Sequence, residues 1–176
     1  MQKKTKEKNQ ELLAAQVEKI EIDPNTHHSI IREKLIEHLF IADILKHAWL
    51  TKGYDSYEIS RPEVDFGGYD LIIEKSNKIR HIQLKTRVQG ATTGSYNIAV
   101  ALTKKPLGCV IVIEFDEKLN LIYHFFGNSI GHLKLDGHSS VKPDKMKKVN
   151  FNPKRFKKAS LEELLDVHLF PVDIVA

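Results

Sequence analysis

Two short stretches hold residue types whose spacing could do chemistry: Gly67-Gly68-Tyr69-Asp70 and, further along, Gln83-Leu84-Lys85. Tyr69 to Glu74 and Ile79 to Lys85 are both strand-like, and Lys75-Ser76-Asn77-Lys78 separates them, which predicts a β-hairpin. A turn at Ser76-Asn77 pairs residue 75 with 78, and that register sets Asp70 directly opposite Gln83. Directly opposed residues share a face with Cβ atoms about 4.5–5.5 Å apart, and Lys85 shares it because side chains repeat every second residue. Asp70, Gln83 and Lys85 are therefore expected to converge, in the layout of a metal-dependent phosphodiester hydrolase. Asp70 offers a carboxylate and Gln83 a neutral carbonyl oxygen, the ligand type that Mg²⁺ or Mn²⁺ prefers. Lys85 can orient or deprotonate the attacking water, or stabilise charge developing on the phosphate. Plainer roles exist for the same side chains: Asp70 as a turn cap, Gln83 and Lys85 as the solvated face of an edge hairpin.

The elements that must position these groups are legible on either side. From Ser29 to about Leu50, apolar Ile31, Leu35, Leu39, Ala42, Leu45 and Trp49 recur at three- and four-residue steps, which predicts a helix with those residues on one face and Gly53 as its stop. Tyr54 to Ser60 reads as a first strand ended by Arg61-Pro62. Tyr96 to Thr103 fits either a strand or a short helix. Cys109 to Phe115 is nearly all apolar and rich in β-branched residues, the mark of a strand covered on both faces, and Leu119 to Phe126 pairs with it across Asp116-Glu117-Lys118. Gly127 to Asn152 reads as loop. Ser160-Leu161-Glu162-Glu163 is a capping box that opens a terminal helix through about His168, with Pro171 beyond its end. Residues 1–25 read as a partly disordered extension with a short helix over Glu11 to Lys19, and residues 26–176 as a single domain of mixed α and β around one sheet.

Taken with this order of elements, Gly67-Gly68-Tyr69-Asp70 followed by Gln83-Leu84-Lys85 resembles the PD-(D/E)xK nuclease superfamily, in the variant where glutamine replaces the first acidic residue of the strand motif. The resemblance covers roughly Ile30 to Phe126. It implies the restriction-endonuclease-like fold, an α/β architecture with a central mixed β-sheet flanked by helices, and Mg²⁺- or Mn²⁺-dependent hydrolysis of DNA by Asp70, Gln83 and Lys85. It also implies a homodimer, because two strands need two sites, and a glutamate from the first helix. Glu37, mid-helix among apolar neighbours, is the candidate metal ligand, with Glu33 on the same face behind it. Gln83 brings one formal charge fewer than an acid, so a further carboxylate is expected to help hold the metal, Asp65 ahead of Glu63. Gly67 and Gly68 would let the chain turn sharply or let backbone approach a phosphate. Thr86 and Arg87 sit where a strand end would reach a phosphate, or are ordinary surface residues. The rival reading is a non-catalytic module that keeps the fold, with neutral Gln83 marking a weakened metal site, and binds nucleic acid or protein.

Charge distribution bears on the partner. The net charge is +4 with a pI near 9.0, but Lys142, Lys145, Lys147, Lys148, Lys154, Arg155, Lys157 and Lys158 face one acid, Asp144, so this segment alone carries a basic excess of seven. Phe151 and Phe156 interleave with the cations, a pattern suited to gripping a DNA backbone while the rings stack on bases or anchor to the core. The alternative is a solvated lysine-rich loop. Composition narrows the rest: at 176 residues, with 41% hydrophobic and 28% charged, the chain suits one globular domain. No apolar run approaches the length of a membrane span, and a polar N-terminus without an apolar core region argues for a cytoplasmic protein. Cys109 stands alone, which excludes an internal disulfide and a thiolate zinc site, and is expected in the core. The nine histidines, including the adjacent His27-His28 and the scattered His124, His132 and His138, lack the spacing and cysteine companions of a structural zinc site. His38 beside Glu37 is read as partly buried and hydrogen-bonded.

Overall fold

A computed structural model describes residues 26–53, 56–64, 66–92, 95–128, 130–135 and 148–171. The helix expected over Glu11 to Lys19, Asp65, and the basic residues Lys142, Lys145 and Lys147 lie outside the described residues. The chain divides into a unit ending at Arg32, whose described part is the opening of a helix, and a unit from Glu33 onward that holds every described strand.

The helix, α1, runs Thr26–Leu50. Eight strands follow: β1 (Tyr57–Ser60), β2 (Leu71–Lys75), β3 (Lys78–Val88), β4 (Tyr96–Ala99), β5 (Cys109–Phe115), β6 (Leu121–Gly127), β7 (Lys148–Phe151) and β8 (Lys157–Ala159). Six of them form one mixed sheet in the order β1-β2-β3-β5-β6-β8, and β4 and β7 form a separate antiparallel pair. The architecture is thus mixed α and β around a central mixed sheet, as expected.

The hairpin forms in the expected register. Lys75 pairs with Lys78 and Leu71 with Ile82, and Ser76 takes the left-handed backbone (φ 57°) that a two-residue turn demands. β2 then ends while β3 runs on beside β5 in parallel, from Ile82 opposite Cys109 to Val88 opposite Phe115. A parallel pair needs a crossover. The crossover here includes β4 and a 3-10 turn over Val100–Lys104, so the stretch that suited both strand and helix contains one of each. β5 is buried along its length except at Glu114, which matches its apolar composition.

Each face of the sheet is covered. Tyr123 on β6 packs its ring 5.5 Å from Phe40 of α1 and donates a hydrogen bond to Asp43 at 2.7 Å, so α1 lies against this face. Against the other face Ile98, Val100, Leu102, Leu133, Leu135, Val149 and Phe151 gather with Val110 into one buried cluster. β7 falls inside the stretch read as loop. Alternation of Val149 and Phe151 with Lys148 and Asn150 is the strand signal there, too short to stand out among lysines.

The helix face differs from expectation. α1 buries Ile36, Phe40, Ile44 and Ala48, while Ile31, Leu35, Leu45 and Trp49 of the expected stripe are exposed. Both sets recur at helical spacing. The periodicity establishes a helix but does not choose between two apolar stripes; the sheet chooses the one whose side chains fit it.

The terminal helix opens as expected: Ser160 N–H donates to Glu163 Oε2 (2.9 Å) and Glu163 N–H to Ser160 Oγ (3.1 Å). It is wound as a π-helix over Glu163–Leu169, and Phe170 N–H closes it on the Leu165 carbonyl at 2.8 Å. Fully buried Arg80 explains its seat. The guanidinium donates to the carbonyls of Leu169 (2.7 Å) and His168 (2.9 Å), at the negative end of the helix, and to that of Asn128 just after β6 (2.6 Å).

Candidate active site

Asp70 stands just before β2, where β2 and β3 part. Its backbone N–H still donates to the Ile82 carbonyl at 2.8 Å, extending the ladder by one step. Its carboxylate then accepts from the Leu84 N–H at 2.6 Å, filling the place a further β2 residue would have taken. The carboxylate therefore sits against the backbone between Gln83 and Lys85.

Gln83 points into the protein. It is 7% exposed, and its Oε1 accepts from the Ala99 N–H at 3.1 Å, at the junction of β4 and the 3-10 turn. The oxygen of the amide is thus the atom committed to backbone, with a second lone pair left. Gly68 shapes the same corner. With φ +69° and only 2.3 Å between a hypothetical Cβ and Ala99 Cβ, the position accommodates only glycine. Gly67 is as tight, since a Cβ there would come within 2.0 Å of the Tyr69 ring. Lys85 follows Gln83 on the same face, half-buried and across from Val112.

Glu37 is brought to the same end of the sheet by its partner. Arg61 Nε lies 2.9 Å from its Oε1, and Arg61 directly follows Ser60, which pairs with Ile72 two residues from Asp70. Lys34 Nζ binds the other oxygen at 2.9 Å, so this 7% exposed carboxylate is neutralised by two cations. Glu33 and Glu63 are exposed, and Asp65 lies outside the described residues. His38 is exposed, with Nδ1 2.6 Å from the Lys34 carbonyl, which corrects its expected part-burial. Among the described residues no three His, Cys, Asp or Glu side chains gather into a group able to hold a metal ion. The donors that fit a hard cation at the hairpin are the Asp70 carboxylate and the Gln83 amide oxygen, both of the right chemistry.

The basic residues disperse. Arg87 donates to Glu114 from Nε at 2.6 Å and pairs with it again through a second nitrogen. Lys148, Lys154, Arg155, Lys157 and Lys158 are exposed, but Lys157 lies opposite Phe125 and Lys158 opposite His124, on alternate faces of the sheet. Of the interleaved rings, Phe151 is fully buried and Phe156 packs against it at 5.7 Å, so both anchor to the core. Cys109 is buried as expected, and burial pushes its thiol up to about 12.

Glu114, His124 and Tyr96 surround Arg87, an association the sequence does not show, since His124 is weighed there only as a zinc ligand and the four meet only through the sheet and the β4 crossover. Alternation in β5 could have flagged Glu114, the one acid in an otherwise apolar strand. No helix among the described residues is long and apolar enough to cross a membrane. Comparison with protein-family models and with curated proteins finds no match. Fold and geometry therefore define a class and no more: a mixed α and β protein whose hairpin sets a carboxylate beside a Gln-x-Lys strand.

Proposed function

We propose that the protein is a restriction-endonuclease-like, Mg²⁺- or Mn²⁺-dependent nuclease that hydrolyses DNA phosphodiesters at the Asp70, Gln83 and Lys85 corner. The observation that carries this reading is the hairpin register, with the Asp70 carboxylate hydrogen-bonded at 2.6 Å to the backbone between Gln83 and Lys85. A divalent ion there would polarise the phosphate and activate water, held by Asp70 and Gln83 with Glu37 or Asp65 in support. Lys85 would orient the water or take its proton, and Lys158, exposed on the face that carries Gln83, would meet the backbone. In this reading Asp70 is bound rigidly before metal arrives, because Leu84 fixes its carboxylate.

The test is incubation of plasmid or oligonucleotide DNA with Mg²⁺. Lys85→Ala should cut at least about 100-fold more slowly with an unchanged melting temperature. Asp70→Asn, which keeps an oxygen for the Leu84 N–H, should lose cleavage while remaining folded. Parent-like cutting by both variants would exclude this site.

One observation favours the second reading, a non-catalytic module that binds nucleic acid or protein: the Gln83 amide is buried and already held by Ala99. Calorimetric titration with Mn²⁺ separates the two. Heat that disappears in Asp70→Asn supports the nuclease; no heat, with salt-sensitive DNA binding retained, supports the module.

A further inference from the structure

Across the sheet from Lys85 stand Val112, then His124, then Lys158, one row of side chains on the face that carries Gln83. At a strand spacing of about 4.8 Å, His124 lies about 10 Å and Lys158 about 14 Å from Lys85. Beside this row is a small recess of about 10 Å³, room for one oxygen atom of water size, that opens to solvent and is lined by Arg87, Tyr96, Val112, His124, Pro153 and Phe156. Two polar atoms of its wall are buried and make no hydrogen bond, the Tyr96 hydroxyl and His124 Nε2. Tyr96 is only 6% exposed, so its hydroxyl has given up water and gained nothing within the protein. An unmade bond of this kind is costly, and two in one recess point to a ligand that completes them.

The charge around the recess selects the ligand. His124 Nε2 lies 3.5 Å from Glu114 Oε2, but Arg87 already neutralises that carboxylate. Lys158, exposed and directly opposite His124 on the neighbouring strand, adds positive charge beside it. Tyr96 O–H and an Nε2–H tautomer of His124 are donors, and a carbonyl-sized, negatively charged oxygen is what two donors under positive potential hold best.

We infer that this recess takes one non-bridging oxygen of a phosphate group, with the Tyr96 hydroxyl and His124 Nε2 as its donors and the Lys158 charge on the strand beside His124. Assigning that phosphate to a DNA backbone, one that neighbours the bond being cut, rests on the nuclease proposal; the capture of phosphate does not. The full chain is tested in EDTA, so that cleavage is silent. Inorganic phosphate is titrated while the His124 ring resonance is followed, and a short labelled DNA duplex is titrated at several salt concentrations. Tyr96→Phe removes one donor and no charge, so duplex affinity should fall about three- to tenfold with an unchanged salt slope. Lys158→Ala should lower that slope by about one. Tyr96→Phe should also melt at a higher temperature, since the unpartnered hydroxyl is gone.

If Tyr96→Phe melts higher but binds duplex and phosphate as the parent does, the recess holds only water and the inference is overturned. A His124 shift with inorganic phosphate that Tyr96→Phe abolishes, without any change in duplex binding, keeps the phosphate site and assigns it to free phosphate. Weakened duplex binding in Tyr96→Phe, in a protein that never cuts DNA, keeps the site and removes the nuclease reading instead.

Discussion

Asp70 and Gln83 show how far a local argument reaches. Their opposition follows from a two-residue turn and strand alternation, both properties of a dozen neighbouring residues. What each side chain then binds does not follow. The Ala99 N–H that holds Gln83 arrives from a segment sixteen positions away, and the Ala99 methyl that fills the space beside Gly68 from thirty-one away. Two glycines separate the backbone effect from the packing effect. Gly90 has φ +79° with nothing within 4 Å of a hypothetical Cβ, so Gly90→Ala should cost about 1–2 kcal/mol of conformational strain. Gly68→Ala pays a similar strain and also drives a methyl into Ala99, so denaturant titration should show about 1–3 kcal/mol more. Equal losses at the two positions would show that Ala99 yields freely and does not brace Gln83.

At the scale of elements, the clearest case is the terminal helix. Its start was legible because the capping box is local, a Ser and a Glu three residues apart exchanging hydrogen bonds. Its end was not, because the groups that satisfy its last carbonyls belong to Arg80, nearly ninety residues earlier. Arg80 supplies three charge-assisted bonds from a fully buried position, so Arg80→Met should destabilise the protein by about 3 kcal/mol or more, read by urea titration. A change near zero would mean that the carbonyls find water and that the helix seats itself. The opening helix teaches the complementary point. Two stripes of apolar residues, one through Leu35 and Leu45 and one through Ile36, Phe40 and Ile44, are equivalent in sequence, and only a sheet of definite shape distinguishes them.

Across the whole molecule, protonation reports on tertiary packing. Burial, reinforced by the nearby Arg87 guanidinium, holds His124 below the ordinary histidine range, and burial with Lys157 does the same for His168, which stacks on Phe125 at 4.9 Å. The unfolded chain takes up protons on both near pH 6.5 while the folded protein resists them. Their contribution to stability is therefore complete above about pH 6.5 and is lost as the pH falls below it. Melting temperature should drop between pH 7.5 and 5.5, and the double variant His124→Gln, His168→Gln should flatten that drop; an unchanged profile would place the acid sensitivity elsewhere. The hairpin with its turn and register, and the apolar middle strand with its neighbour across Asp116-Glu117-Lys118, were set by the sequence alone, since each depends on residues within a few positions of one another. Which helix stripe is buried, where Gln83 and Arg80 point, and how Arg87, His124 and Tyr96 come to share a recess were decided only by the tertiary structure, because those contacts join segments whose spacing along the chain carries no trace of their distance in space.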